Sequence, residues 1–396
     1  GQMARGLGLA LASKKYRALP ELAAGRFSDG GREVVFCNIG DGSTAEGVFW
    51  ETLNAAGVLQ VPLLVSVWDD GYGISVPSEY QCVKASISDA MQGLQREAGT
   101  NGIQIYRVAG WEYPALCEAY LEAARRARDE HVPVLLHVRE LTQPQGHSTS
   151  GSHERYKPEA RLQWEREYDC NRQFRQWILA NGIAGVDELE AISDAAAGEV
   201  KAARDRAWSR VTLPLRAERR TLRRHLSAFR TASRRPQIVD EAISGLDALH
   251  EPVRSDLLRI ARRLLFRLRG ERHEAHEALE AWVQGVSREL AQQYGAGLYD
   301  QSERSALNVP VVSPHYEADS PLVNGYEIIN TFFDRAFERY PNLFAFGEDV
   351  GRIGDVNQGF AGLQEKYGER RIFDTGIREW TIVGQAIGMA MRGLRP

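Results

Sequence analysis

Four stretches of this sequence set ionisable side chains in glycine-rich surroundings: Gly40-Asp41-Gly42, Asp69-Asp70-Gly71-Tyr72, Gly146-His147-Ser148 and Arg378-Glu379. Asp41 follows an apolar run and precedes an amphipathic one, so it falls where a strand ends and helix amides point outward, a favoured place for anions. An aspartate there does not itself attract phosphate, but it can hold a divalent cation that bridges to diphosphate oxygens. A capping aspartate in an ordinary turn satisfies the same three residues. Asp69 and Asp70 end the next apolar run; Asp70 lies 29 residues (70 − 41) beyond Asp41. If both runs are parallel strands, the carboxylates reach one edge of the sheet. A strand-ending turn is the plainer account of Asp69-Asp70-Gly71. His147 is either a loop residue or a titratable donor suited to neutral pH. Glu379 either complements a helix N-terminus or, beside Trp380, Ile382 and Val383, sits in an apolar setting that favours its protonated form.

The elements that must position these residues alternate. Apolar runs at 34–39, 62–68, 103–108 and 134–140 read as strands, and stretches ending near 59 and spanning 113–130 read as helices. That order predicts an α/β fold with a parallel sheet covered on both faces. From about 155 to 299 the chain turns into helices rich in Ala, Arg and Glu without strand signals, a connector. Its basic part, 204–235, carries Arg219-Arg220, Arg223-Arg224 and Arg234-Arg235. This is either a solvated or docked helical face or a site for a negatively charged partner domain. A second α/β unit follows, with a helix at 325–339, a strand at 343–346, a Gly-rich loop and a closing helix at 379–392. Gly384, Gly388 and Ala390 would let that last helix pack closely on a neighbour. The expected domains are 1–154, the connector 155–320, and 321–396.

Bulk properties narrow the classes. A chain of 396 residues with 43% apolar composition can bury a full core, and its net charge of −4 carries no polyanion-binding signature, so nucleic acid is not an expected partner. Cys37, Cys82, Cys117 and Cys170 form no CxxC pair, and no His cluster has metal-ligand spacing, which fits a reducing, cytoplasmic setting. No stretch approaches the roughly 20 apolar residues of a membrane helix. Gly1 and Pro396 both fall abruptly at helical sequence, so a piece of a longer chain is expected.

Together the motifs resemble the thiamine-diphosphate-dependent 2-oxo acid dehydrogenases, the decarboxylating first component, in a fused alpha/beta form. Gly40-Asp41-Gly42, a helix containing Asn54, and a strand ending in a polar pair before Tyr72-Gly73 are similar to the cofactor motif of the alpha subunits. Those relatives usually carry paired Asn where this chain has Asp69-Asp70, the second one binding magnesium. Aspartate is also a hard oxygen ligand, so Mg²⁺ binding survives the change. The resemblance implies Asp41, Asp70 and the backbone carbonyl of Tyr72 as metal ligands, with Gly40, Gly42 and Ser43 beside the diphosphate. The loop from Gln143 to Ser150 looks like the Gly-His-Ser loop of the branched-chain alpha subunits, and Ile74-Ser75-Val76-Pro77 leans the same way. It implies that His147 contacts the diphosphate or the reaction intermediate and assists acyl transfer, and that Ser148 matches a position phosphorylated in some relatives. The stretch from Asp374 to Gly384 resembles the beta-subunit motif in which a glutamate, here Glu379, hydrogen-bonds the aminopyrimidine and favours its imino tautomer. Gly347-Glu348-Asp349-Val350 matches the start of that pattern and puts Glu348 at the site.

The resemblance implies two incomplete, transketolase-like parallel-sheet domains joined by the helical connector. It implies oxidative decarboxylation of a 2-oxo acid, of the branched-chain 3-methyl-2-oxobutanoate type, through a thiamine diphosphate carbanion, with acyl transfer to the lipoyl domain of a dihydrolipoyl acyltransferase. Thiamine diphosphate and Mg²⁺ are the expected cofactors. The expected assembly is a homo-oligomer whose domains complete the site across protomers, so this stretch in isolation should be inactive. The alternatives are a pyruvate or acetoin dehydrogenase, a transketolase-like enzyme, or a decayed scaffold of the same fold, for which Asp70 in place of Asn is the hint.

Overall fold

The computed structural model describes residues 2–22, 27–147, 152–295, 300 and 302–396. The chain divides into two compact units, one of residues 1–185 together with 319–396 and one of residues 186–318.

The first unit begins with α1 (Gln2–Ala18), whose Met3, Leu7, Ala10, Leu11 and Ala12 are buried along with Gly6 and Gly8. A helix this short of polar residues belongs inside a core. Six strands follow in the amino-terminal part: β1 (Val35–Gly40), β2 (Leu63–Trp68), β3 (Tyr72–Gly73), β4 (Val76–Pro77), β5 (Gln104–Ala109) and β6 (Val134–Arg139). Four of them form a parallel sheet in the order β1-β2-β6-β5. β2 and β6 are buried at every position but their last, as expected of central strands covered on both faces. One face packs against α1 and α2 (Gly47–Leu59), and the other against α4 (Tyr113–Glu130) through Leu64, Ala123, Ala127 and Leu136. Between them, β3 and β4 make a short antiparallel hairpin, followed by the single-turn α3 (Ile87–Ala90). α5 (Glu159–Glu167) and α6 (Cys170–Ala180) close this part.

The second unit is a helical bundle. α7 (Val186–Ala232) runs 47 residues, and buries only Leu222, Leu226 and Phe229 near its end. There it meets α8 (Pro236–Asp247), α9 (Arg254–Arg267) and α10 (Glu274–Gly295) around Val239, Leu246, Leu257, Leu264 and Leu279. The basic stretch lies on α7, save Arg234 and Arg235 just beyond its end, and is partly paired within the unit. Arg219 donates to the carbonyls of Leu246 and Asp247 at the end of α8, and Arg223 pairs with the Asp247 carboxylate. A cation at a helix C-terminus is a favoured arrangement.

Residues 319–396 return to the first unit as α11 (Gly325–Arg339), β7 (Ala345–Gly347), α12 (Leu363–Tyr367), β8 (Ile372–Asp374) and α13 (Glu379–Met391), with β7 and β8 paired in parallel. The joint to the amino-terminal part is the crossing of α1 and α13. A Cβ added to Gly8 would lie 2.1 Å from the Gln385 carbonyl oxygen, and one on Gly388 2.3 Å from that of Arg5. Only glycines allow backbones this close. The close packing expected of Gly384 and Gly388 is thus present, with α1 as the neighbour, whereas Ala390 is exposed and takes no part. Polar ties reinforce the crossing: Tyr16 Oη donates to the Arg392 carbonyl at 2.6 Å, and Arg392 pairs with Glu33 at 2.8 Å. Among the described residues no helix is long and apolar enough to cross a membrane.

Candidate functional site at the sheet edge

The parallel register that sets Gly40 opposite Trp68 delivers Asp41 and the Asp69-Asp70 pair to the same edge of the sheet. Asp41 does not open an α-helix as the sequence suggested. It starts a 3-10 turn, Asp41–Ala45, and α2 begins only at Gly47. Local hydrogen bonds tighten the turn: Thr44 Oγ1 donates to the Asp41 carbonyl at 2.6 Å, and the Glu46 amide to that of Ser43 at 3.3 Å. Burial, reinforced by the charges of Asp69 and Asp70, pushes the Asp41 carboxyl up to about 7, against the opposing hydrogen bonds from the Gly42 amide and its own. Its Oδ2 is buried with no hydrogen-bond partner. Gly42 presses on the next turn, since a Cβ there would fall 2.9 Å from Gly73 Cα.

The neighbouring aspartates are not equivalent. Asp69 Oδ1 accepts the Gly71 amide at 2.8 Å, and Oδ2 meets His137 Nε2 at 2.7 Å. Burial would raise Asp69, but these bonds and the charges of His137 and Arg161 hold it below the usual carboxylate range. For Asp70 burial wins: it is raised despite a 3.2 Å bond from the Tyr72 amide and the nearby charges of Lys157 and Arg161. Arg161 also donates to the Asp70 carbonyl at 2.8 Å, fixing the turn from α5. The ionised forms of Asp41 and Asp70 are thus disfavoured by their surroundings, an arrangement that a divalent cation would relieve. Among the described residues no three His, Cys, Asp or Glu side chains form a complete metal-holding group. A cation beside Asp41 and Asp70 would need backbone or ligand oxygens as well, and the donor set suits a hard ion such as Mg²⁺.

Gly40 ends β1, Ser43 is exposed on the 3-10 turn, and Tyr72 is half-buried, with its ring 5.8 Å from Tyr156 and 4.9 Å from Lys157 Nζ. His147 is exposed beyond the end of β6; Ser148 lies outside the described residues. Glu348, just after β7, and Glu379, the first residue of α13, are both exposed. Among the described residues, the apolar setting expected around Glu379 is not formed. Trp380 is 66% and Val383 60% exposed, because α13 turns the face carrying Gly384, Gly388 and Met389 inward and the face carrying these two outward. The first turn of α13 is nonetheless tied to α2 by a hydrogen bond from Thr381 Oγ1 to Glu51. Buried Arg378 donates to Gln385 Oε1 at 3.0 Å and feels the charges of Glu51 and Glu348. The helix bearing Glu379 thus starts beside the helix that follows the Asp41 turn.

Sequence reasoning missed His137, Ser88, Arg107 and Arg161. His137 is fully buried, and its Nδ1 lies 2.8 Å from Ser88 Oγ, which in turn accepts Arg107 Nε at 2.7 Å. The signal available was the histidine itself, standing in a strand otherwise apolar on both faces; such a polar residue needs buried partners.

The family model for the dehydrogenase E1 component matches residues 1–215, and that for the transketolase pyrimidine binding domain matches residues 323–396. Among curated proteins, the chain is similar to the beta subunit of the pyruvate dehydrogenase E1 component of Acholeplasma laidlawii, 53% identical over 75 residues, 19% of this chain and 23% of the relative. It is 46% identical over 70 residues to the 2-oxoisovalerate dehydrogenase beta subunit of Bacillus subtilis, 18% of this chain and 21% of the relative. With the mitochondrial 2-oxoisovalerate dehydrogenase subunit alpha 2 of Arabidopsis thaliana it shares 32% over 145 residues, 36% of this chain and 29% of the relative. The chain thus spans less than a third of the length of each of these relatives.

Proposed function

This chain belongs to the dehydrogenase E1 component family, with a transketolase pyrimidine binding domain in the same polypeptide, and we propose that the protein containing it decarboxylates a 2-oxo acid oxidatively, using thiamine diphosphate and Mg²⁺. The observation that carries the reading is the sheet edge where Asp41 keeps a buried, unpartnered Oδ2 beside the raised Asp70. Asp41, Asp70 and the Tyr72 carbonyl hold the metal, and Gly40, Gly42 and Ser43 border the diphosphate. Glu379 serves the aminopyrimidine, with Glu348 nearby, and His147 lies at the acyl-transfer side. Bound thiamine diphosphate supplies the electron sink for loss of CO₂. The residues of this chain orient it, with Glu379 hydrogen-bonding its aminopyrimidine. The acyl acceptor we propose is the lipoyl domain of a dihydrolipoyl acyltransferase, and the assembly a homo-oligomer.

For the substrate we favour a branched-chain 2-oxo acid, supported by the loop around His147 and by the 2-oxoisovalerate dehydrogenase subunits among the relatives of both parts. The pyruvate reading has its own support in the 53% identity to a pyruvate dehydrogenase beta subunit. Decarboxylation of 3-methyl-2-oxobutanoate against pyruvate by the full-length protein, with an artificial electron acceptor, separates them. A clear preference for pyruvate refutes the branched-chain assignment. No turnover of either acid, with no binding of thiamine diphosphate at millimolar concentration, refutes the enzyme.

A further inference from the structure

The two oxygens of Asp69 are both occupied by the protein, and the group on Oδ2 is the last of a hydrogen-bonded chain. Arg107 Nε–H donates to Ser88 Oγ at 2.7 Å, and Ser88 Oγ lies 2.8 Å from His137 Nδ1. His137 then presents Nε2–H to Asp69 Oδ2 at 2.7 Å. Four elements supply the chain: Arg107 comes from β5, Ser88 from α3, His137 from β6, and Asp69 follows the end of β2. All three supporting residues sit on strands or helices, and His137 and Ser88 are fully buried. Asp69 in turn shapes the turn beyond it. Its Oδ1 accepts the Gly71 amide, and Gly71 has φ +81°, a conformation a glycine adopts without strain.

On the metal reading given above, on which this rests, we infer that His137, backed by Ser88 and Arg107, is a positioning residue for the cation site: it clamps Asp69 away from the metal and so sets the Asp70-Gly71-Tyr72 turn that presents the ligands. Without His137, the Asp69 carboxylate would lose the partner on Oδ2 and be free to swing away from Gly71 toward the edge. The turn carrying the Asp70 side chain and the Tyr72 carbonyl would then lose its fixed geometry. Partners that orient metal ligands act this way, and their removal costs about 10- to 100-fold in metal affinity.

The test is Mn²⁺ binding to the full-length protein with thiamine diphosphate, read by the paramagnetic resonance signal of free Mn²⁺, alongside melting of the metal-free protein. We expect His137→Phe to weaken Mn²⁺ by about 10- to 100-fold, Ser88→Ala to weaken it less, and His137→Gln, which keeps an N–H for Asp69, to bind more tightly than His137→Phe. A lowered metal-free melting temperature with unchanged or tighter Mn²⁺ binding in these variants would show a merely structural role and overturn the inference. If His137→Phe fails to fold, unchanged Mn²⁺ binding by Ser88→Ala overturns it instead. Failure of the metal reading itself appears elsewhere, in wild-type protein that does not bind Mn²⁺ or in an Asp70→Ala variant that binds it normally, and the inference falls with it.

Discussion

Replacing Gly388 with alanine puts the joint between the two parts of the first unit to the test. The new Cβ would stand 2.3 Å from the Arg5 carbonyl oxygen, 2.5 Å from the Leu9 nitrogen and 2.8 Å from the Gly8 carbonyl carbon. All three are backbone atoms of α1, so none can rotate away. Ordinary contact needs about 3.4 Å, and α1 and α13 must part by about 1 Å along their crossing, loosening the packing of Leu7, Leu11 and Met389 in the core. Overpacking of this kind costs about 1–3 kcal/mol. Alanine gains about 1 kcal/mol of helix propensity over glycine, so the variant should lie near neutral at best and up to about 2 kcal/mol less stable. Valine at the same position should be worse still, for its bulk and its β-branching. The control is Gly198 in α7, where a Cβ meets nothing within 4 Å; alanine there should stabilise by about 1 kcal/mol. Calorimetry of the full-length protein resolves the transitions of its separate units better than a single midpoint would. If Gly388→Ala stabilised the protein as much as Gly198→Ala, the close crossing of α1 and α13 would be wrong.

Glu379→Gln should abolish turnover while leaving thiamine diphosphate binding measurable by tryptophan fluorescence; retained turnover would show the glutamate misassigned. Asp41→Asn should lose Mn²⁺ binding, yet raise the melting temperature of the metal-free protein at pH 8, because it removes a buried carboxylate whose neighbours Asp69 and Asp70 repel it. Normal Mn²⁺ binding, or a lowered melting temperature, would contradict the electrostatic account of that edge. His131, buried with Nε2 3.0 Å from the Gly31 carbonyl, is pulled down to about 4 by burial, partly opposed by that hydrogen bond. An unfolded histidine titrates near 6.5. Between about 6.5 and 4 the unfolded chain therefore binds a proton that the folded one lacks, and stability present above that window is lost as the pH falls through it. The melting temperature should drop more steeply between pH 7 and pH 5 in the wild type than in His131→Asn, a residue that also accepts the left-handed conformation at φ +55°. Parallel curves would rule out His131 as the cause.

Elements whose signals are local were legible in the sequence, and those whose form depends on distant partners were not. The helices at 113–130 and 325–339 appear with the expected bounds because their ends are written nearby: Pro114 in the first turn and a left-handed His131 for one, the Asn324–Glu327 capping box for the other. The three-residue β8 has too few positions to show a period, and β7 owes its place to pairing with it. On α13 the usual pattern is inverted. Trp380 and Val383 suggested a buried face, yet the helix buries Thr381, Gly384, Gln385, Gly388 and Met389, since close contact through backbone at the two glycines decides which face turns inward. The same limit governs the carboxylates. Asp69 and Asp70 are indistinguishable as letters, and a resemblance can only say which of them aligns with a ligand. What separates them is His137, 68 residues further on, which occupies an oxygen of Asp69 and none of Asp70. On the proposed metal reading, a cation brought to this edge would therefore meet Asp41 and Asp70, with Asp69 already committed to His137 and the Gly71 amide.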